Sequence, residues 1–298
     1  MIYMEYVISV LLSGVSVGGQ YALIAIGYTL VYGILRLINF AHGDVFMVAG
    51  LMGIYFTATL PIGESLPLVI ILTVLLGFTI ERAAYKPLRD APRMSVMISA
   101  IGVSYLLQNT ATYVTGGQPM TYPTIPFLSD TVVVAGTHTK WVVIITPFLV
   151  LALVFSLTLL INKTKIGMAM RAVSKDFETS RLMGIKINSV ISVTFIIGSA
   201  LAAVGSILFF TNYPAITPTA GAMPGLKAFV AAVFGGIGSI PGAVIGAFLI
   251  GICETIIKGL PSAWDVSVFS DAFTFALLII ILVFKPQGLF GEAATDKV

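Results

Sequence analysis

The chain has 298 residues, of which 58% are hydrophobic and 10% are charged, and its formal net charge is +3. A soluble globular domain carries about 25% charged residues, so this composition excludes a soluble enzyme, a disordered chain and a secreted disulfide scaffold. The basic residues form no patch interleaved with aromatic residues, which argues against a nucleic-acid partner. A single cysteine, Cys253, excludes an internal disulfide and a multi-thiolate metal site.

Apolar runs suited to membrane-spanning helices follow one another along the whole chain. A span needs about 20 mainly apolar residues to cross about 30 Å of hydrocarbon. The first six residues hold Glu5 and no base, and no base follows before Arg36, so we expect the first run to be a retained span and not a cleavable signal peptide. The runs cover residues 7–35, 45–60, 66–85, 94–114, 141–161, 189–211, 226–257 and 270–284. We therefore predict an all-α polytopic membrane protein, one domain over residues 1–298, with about eight transmembrane helices.

A polar segment, Arg36-Leu-Ile-Asn-Phe-Ala-His-Gly-Asp44, separates the first two runs. In hydrocarbon, Arg36 and Asp44 would each cost about 2.5–3.5 kcal/mol at the centre, and Asn39, His42 and Asp44 would then line a polar path. The alternative is a turn in water, with Arg36 on the cytoplasmic side. Composition alone favours the turn.

Two basic loops, residues 81–93 and 162–188, hold most of the 16 lysines and arginines. Cytoplasmic loops of membrane proteins are enriched in these residues. Both loops are therefore predicted to be cytoplasmic, which places the N-terminus outside.

The longest loop on the opposite side covers residues 115–140. It combines prolines with the β-prone sequence Thr131-Val-Val-Val134. We interpret it either as a small lid or receptor for a solute-delivering protein, or as a structureless connector.

Residues 164–188 contain the start and stop signals of a short cytoplasmic helix near 175–183. Ser174 is the expected N-cap, Asp176 and Glu178 lie in the first turn, Arg181 comes late, and Gly184 ends the helix. Such a helix suits docking to a cytoplasmic partner. The alternative, which the residues alone favour, is a basic loop placed there only by orientation.

A glycine-rich stretch, Gly235-Gly-Ile-Gly-Ser-Ile-Pro-Gly242, interrupts the run 226–257. It cannot continue a regular helix, and broken backbone at membrane depth is tolerated only where protein buries it or a watery cavity lies beside it. Gly236, Gly238 and Ser239 are therefore predicted to border a pathway. The run forms either one kinked span or two short passes. Asp265 and Asp271 in the next loop favour two passes and a cytoplasmic C-terminus.

Other features in the spans have simpler interpretations. Gly14 and Gly18 have the spacing of closely packed helices. Lys227 is interpreted as an interfacial lysine whose charge reaches water, and Glu254 with Lys258 as a local i,i+4 pair.

Several of these stretches resemble a known family. They are Gly27-Tyr-Thr-Leu-Val-Tyr-Gly33 with Ile38–Asp44, Arg171-Ala-Val-Ser-Lys-Asp176 with Gly184-Ile, Lys227–Gly246 and Lys285–Gly291. Together they resemble the membrane permeases of branched-chain amino acid ABC importers. The similarity covers nearly the whole chain, and the length fits the smaller permease of the usual pair, the LivH type.

The resemblance implies a non-enzymatic permease subunit of the bacterial inner membrane that carries branched-chain or other hydrophobic amino acids. The implied partners are a second homologous permease, two cytoplasmic ATPase subunits and a periplasmic substrate-binding protein. ATP would be bound by the ATPases, so no cofactor is expected here, and the sequence has no G-x-x-x-x-G-K-[ST] motif. The residues implied in ATPase coupling are Arg171, Ser174, Asp176, Glu178, Arg181 and Gly184, and those implied in the translocation path are Asn39, His42, Asp44, Gly236, Gly238 and Ser239.

Segments Asn39–Asp44 and Gly235–Gly242 are predicted to approach each other beside the translocation path, with Asn39, His42 and Ser239 nearest to that path. The family includes permeases for urea and short amides, so the solute stays open. A secondary transporter with its coupling ion near the midplane is the alternative from another class, with Asp44 and Glu254 as its candidate proton carriers. A third alternative, an intramembrane enzyme, is disfavoured because the sequence offers no histidine cluster, metal site or Ser-His-Asp arrangement for catalysis.

Overall fold

The structure, a computed structural model, describes residues 2–89, 91–134, 136–260 and 269–291. In these residues, five helical segments are long and apolar enough to cross a membrane: Met4–Leu35, Ile62–Leu88, Trp141–Lys163, Ile187–Asn212 and Ile240–Lys258. The predicted all-α polytopic class is confirmed, whereas the count of about eight spans is not. Asp265, used above to orient the chain, lies outside the described residues.

The first helix, α1 (Ile2–Leu35), lies at the centre of the bundle and packs along α8 (Ile187–Asn212) and α10 (Ile240–Lys258). Its glycines allow this approach. A Cβ at Gly14 would stand 2.9 Å from the Cα of Ile252, and one at Gly18 would stand 2.7 Å from the Cα of Phe248. The packing role of these glycines, predicted from their spacing, is confirmed.

The outer helices are α3 (Ile62–Ile80), α4 (Arg93–Thr115) and α5 (Trp141–Lys163). Helix α3 continues through a π-helical turn at Glu81–Tyr85 and a 3-10 turn at Lys86–Leu88. Apolar side chains such as Leu75 and Phe155 remain exposed on this layer, as expected of surfaces that face lipid.

Three further apolar helices are shorter than a bilayer core. They are α2 (His42–Thr57), α9 (Ala222–Gly235) and α11 (Ser270–Phe284), each about 21–24 Å long at 1.5 Å per residue. Helices α9 and α10 run antiparallel, since Gly235 meets Gly242 and Gly246 meets the carbonyl of Ala231. Residues 226–257 are therefore two helices and not one kinked span.

One end of the bundle carries two short helices, α6 (Lys165–Lys175) and α7 (Phe177–Leu182). We call this the basic end, and the opposite end the connector end, after the connector, residues 116–140. The connector is not structureless. Strands β2 (Thr131–Val134) and β3 (Thr137–Lys140) form an antiparallel hairpin, and β1 (Met120–Thr121) pairs with β4 (Ala215–Ile216) beyond α8.

Candidate functional site

The segment between α1 and α2 leaves the basic end and turns back into the bundle. Arg36 is exposed, has φ +54° and donates to the carbonyl of Ser174 at 3.4 Å. The imidazole of His42 instead lies against Gly27, where a Cβ would stand 2.0 Å from Nε2. Gly27 precedes the end of α1 by about two turns, so α2 begins about 12 Å inside the bundle.

Burial of this segment overturns the turn in water that composition favoured. Asn39, His42 and Asp44 are 3%, 3% and 2% exposed, whereas Arg36 does reach the surface. Asn39 has a hydrogen-bond partner within the protein, whereas the buried Nε2 of His42 has none among the described residues. Asn39 Oδ1 accepts a hydrogen bond from the Tyr85 hydroxyl at 2.7 Å, and His42 packs edge-on to Tyr28 with ring centroids 5.1 Å apart.

Asp44 is held by neutral donors on α4. Ser104 Oγ donates to Oδ2 at 2.5 Å, and Gln108 Nε2 donates to Oδ1 at 3.0 Å. Among the described residues, no lysine or arginine forms an ion pair with it. A carboxylate at the centre of a membrane costs about 2.5–3.5 kcal/mol, so the lack of a cationic partner makes Asp44 a candidate functional residue.

The sequence interpretation missed both donors. Ser104 and Gln108 are four residues apart on one face of α4, and this polar pair in a largely apolar helix was the available signal.

Asp44 lines a cleft of about 290 Å³ between the starts of α2 and α9 and the middle of α4. Its other walls include Ile101, Leu226 and Phe229. The two helix starts touch through glycines, since a Cβ at Gly43 would stand 2.6 Å from the carbonyl oxygen of Gly221. The cleft therefore joins a carboxylate to an apolar wall.

The break at 236–239 is occupied by the protein's own tail. The backbone N–H groups of Leu289 and Phe290 donate to the carbonyls of Phe234 and Gly235, each at 2.9 Å. Gly236 and Gly238 have φ +106° and +100°, which only glycine adopts readily. Ser239 caps α10 by accepting from the Gly242 N–H at 3.3 Å.

The two predicted path segments contact different levels of α1. His42 lies against Gly27, whereas Gly238 of the break lies 3.9 Å from a Cβ built at Gly33. These levels are about 9 Å apart along the helix axis. His42 and Gly43 therefore lie deeper in the bundle, against α1 and the start of α9. The break lies nearer the basic end.

The predicted short helix near 175–183 corresponds to α7, and a further helix, α6, precedes it. Thr164 caps α6 by accepting from the Gly167 N–H, and Asp176 caps α7 by accepting from the N–H groups of Glu178 and Thr179. The prediction that Ser174 is the N-cap is therefore wrong. Helix α6 runs through Lys175, so Ser174 is inside it and donates to the carbonyl of Arg171. Gly184, at φ +81°, follows α7 as predicted.

The surface of α7 is exposed and mixed in character. Glu178 and Arg181 are exposed, and Leu182 and Met183 are 87% and 78% exposed. Arg171 is also exposed and donates to the carbonyl of Ile161 at the end of α5. Beside α7 lies a cavity of about 930 Å³ whose basic lining residues are Arg82, Lys86, Arg89, Arg181 and Lys186.

A buried acid that the sequence interpretation missed joins α3 to α8 at this end. Glu81 is fully buried in the π-helical turn and pairs with Arg89. It also accepts from Ser192 at 2.9 Å, and Arg89 donates to Asn188. Because Tyr85 of the same turn binds Asn39, hydrogen bonds link the start of α8 to the segment that precedes α2.

The interpretation of Lys227 as an interfacial lysine is wrong. Lys227 is 5% exposed and forms ion pairs of 2.7 Å with Glu254 and 2.6 Å with Asp271. Glu254 also binds Lys258, the predicted local pair, and accepts from the Tyr21 hydroxyl at 3.0 Å. This ion cluster (Lys227, Glu254, Lys258 and Asp271) joins α9, α10 and α11.

Comparison with known proteins adds a family and several relatives. A family model described as branched-chain amino acid transport system / permease component matches residues 10–282. The chain is 42% identical to the high-affinity branched-chain amino acid transport system permease protein BraD of Pseudomonas aeruginosa, with 97% of each chain covered. It is 40% identical to LivH of Salmonella typhimurium and 39% identical to LivH of Escherichia coli K12, with 98% of each chain covered in both cases.

Among solved structures, the chain is similar to a protein described as a metal-chelate type ABC transporter in an inward-facing conformation. The TM-score is 0.51 at 15% identity, over 93% of this chain and 85% of that one. At this identity the likeness concerns the fold alone.

Proposed function

Because the chain belongs to the family of branched-chain amino acid transport permeases, we propose that it is the membrane permease subunit of an ATP-driven importer. Its cargo is branched-chain or other hydrophobic amino acids delivered by a periplasmic binding protein. The chain itself is not an enzyme, binds no ATP, and works in the bacterial inner membrane.

The observation that carries this proposal is the exposed surface of α7, with which the family resemblance agrees. Leu182 and Met183 are large apolar side chains at the basic end, where the chain leaves the bundle. Exposed apolar side chains among charged ones are typical of a protein contact. Since the sequence has no P-loop motif, an ATP-driven importer needs a separate ATPase subunit, for which this surface is a suitable docking place.

We place the basic end in the cytoplasm and the connector outside. The lysines and arginines of the two basic loops support this orientation. The backbone of Glu5 binds Thr137 in the connector, and the tail at Leu289 and Phe290 binds the break between α9 and α10. The N-terminus then lies outside and the C-terminus inside, as the sequence predicts.

In the assembled importer, a second homologous permease packs against this chain and two ATPase subunits dock beneath. The coupling residues are Arg171, Ser174, Asp176, Glu178, Arg181 and Gly184. The path residues are Asn39, His42 and Asp44, with Gly236, Gly238 and Ser239 shaping its inner end. Arg171 and Ser174 lie in α6, which precedes α7, and Asp176 and Gly184 lie at the two ends of α7.

The test is purification of the tagged permease from mild detergent with any ATPase that binds it, followed by leucine uptake into proteoliposomes. Leu182→Asp is expected to lower ATPase recovery and ATP-driven uptake at least tenfold, because it places a charge in the docking contact. Leu60→Asp, a matched change at an exposed leucine near the connector end, is expected to change neither. Uptake by this chain alone, driven by an ion gradient, would instead support the secondary transporter.

A further inference from the structure

We propose that Asp44 and the cleft around it form a binding site for the ammonium group of the transported amino acid, a refinement that rests on the proposed function. The carboxylate binds the cationic end of the zwitterion, and the apolar wall receives its hydrophobic side chain. This binding site consists of the polar residues Asp44, Ser104 and Gln108 and the apolar residues Ile101, Leu226 and Phe229.

The protein leaves the carboxylate of Asp44 without a cationic partner among the described residues. Each oxygen of Asp44 accepts one hydrogen bond from a neutral group, Ser104 or Gln108. An ionised carboxylate has about four acceptor sites, so it retains capacity for a further donor. Because neutral donors do not cancel its charge, the group best suited to that place is a cation.

A nearby cation of this chain, Lys227, is already paired with other residues. Lys227 lies between Gly225 and Phe229, which line the cleft, but positions two apart on a helix point to nearly opposite sides. Its ammonium pairs with Glu254 and Asp271. Lys227 therefore neutralises the ion cluster and leaves the charge of Asp44 for a cation from outside the chain.

The form of the cleft matches a hydrophobic amino acid. It has a volume of about 290 Å³ and lies where α2 and α9 both begin inside the bundle. Discontinuous helices at this depth are where transporters of other folds place their substrates. A hydrophobic amino acid carries an ammonium beside an apolar side chain, which matches a carboxylate beside Ile101 and Phe229.

The test measures the charge preference of the cleft by cysteine labelling in the assembled transporter, reconstituted in proteoliposomes. Tyr105 lines the cleft and is 62% exposed, so Tyr105→Cys in a Cys253→Ala background gives a reporter thiol. A cationic and an anionic methanethiosulfonate reagent of similar size are compared with and without ATP. We expect the cationic reagent to react faster, and Asp44→Asn to reduce that preference roughly tenfold. Glu64→Gln, which neutralises an exposed acid at the start of α3, is the matched control and is expected to leave the preference unchanged.

Competition then identifies the group that is recognised. Isoamylamine keeps the ammonium and the branched chain of leucine but lacks the carboxylate, and 4-methylpentanoate keeps the carboxylate but lacks the ammonium. Isoamylamine and L-leucine are expected to slow labelling of Tyr105→Cys, and Asp44→Asn is expected to abolish this protection. 4-Methylpentanoate is expected to have no effect.

Three results would overturn the proposal: no labelling in any nucleotide state, equal labelling by both reagents, or equal protection by the amine and the acid. The first two are the outcomes expected if a cation of a second permease fills the cleft. Failure here is distinguishable from failure of the proposed function, because ATP-driven leucine uptake by the parent protein is measured separately and does not involve the reporter thiol.

Discussion

Asp44 and Glu254 are both 2% exposed, yet the protein surrounds them differently. Glu254 accepts from two lysines and a tyrosine within the ion cluster. Asp44 has only a hydroxyl and an amide as donors among the described residues. A buried acid that is matched by cations fastens helices together, whereas one left unmatched costs stability that function has to justify. The ion cluster is thus expected to serve stability, and Asp44 transport.

The largest effect on stability is expected from Lys227→Met. This change leaves Glu254 with Lys258, which is 52% exposed, and removes the partner of Asp271. Breaking a buried pair by removing one member costs about 3–5 kcal/mol. Unfolding in mixed detergent micelles measures the loss. Lys258→Met is the control and is expected to cost much less, and equal losses in the two variants would contradict the assignment of Lys227 as the central cation.

A smaller loss is expected when Lys227→Met is combined with Glu254→Met. Replacing both members of a buried pair by apolar residues removes the desolvated charge along with its partner. The double variant should therefore be more stable than Lys227→Met alone. Losses that simply add would show that the two residues do not interact in the folded protein.

A loss of about 1–3 kcal/mol is expected for Tyr85→Phe, which leaves the buried carbonyl of Asn39 without its donor. The segment before α2 should loosen, because this bond ties it to the π-helical turn. Tyr105→Phe removes the hydroxyl of an exposed tyrosine and is the control. The same unfolding assay measures this loss, and identical free energies of unfolding for the two variants would contradict the prediction.

The smallest effect on stability is expected for Asp44→Asn, within about 1 kcal/mol of the parent protein. The amide keeps the approximate shape and the contacts with Ser104 and Gln108, and the uncompensated charge disappears. Leucine uptake, by contrast, should fall at least tenfold. Stability and uptake measured on one preparation separate a transport role from a stabilising role. A large loss of stability with normal uptake would show that Asp44, like Glu254, serves stability.

The sequence was sufficient for features that depend on local composition. Apolar runs located the helices, and the stretch Gly235–Gly242 located the break between α9 and α10, because glycine and proline act on their own segment. The cap of α7 was misplaced by two residues. Ser174 and Asp176 are both good N-caps, and only the earlier start of α6 at Thr164 decides between them.

Features that depend on long-range contacts were not accessible in this way. Lys227 and Glu254 are 27 residues apart, and nothing in either segment indicates that they pair. Asp44 likewise meets Ser104 and Gln108 only because α2 and α4 pack together. Burial of the segment before α2 follows from its return along α1, which hydropathy does not encode.

The central position of α1 has a consequence for biosynthesis. Tyr21 binds Glu254, 233 residues further along the chain. At about 5–20 residues per second, roughly 10–50 s separate the synthesis of the two. During that interval the ribosome has delivered α1 but not its partner α10, so the face of α1 at Gly14, Gly18 and Tyr21, which α10 covers in the folded protein, stays unpacked within the membrane. A chain stalled before α10 would present this face to the proteases that remove unassembled membrane proteins.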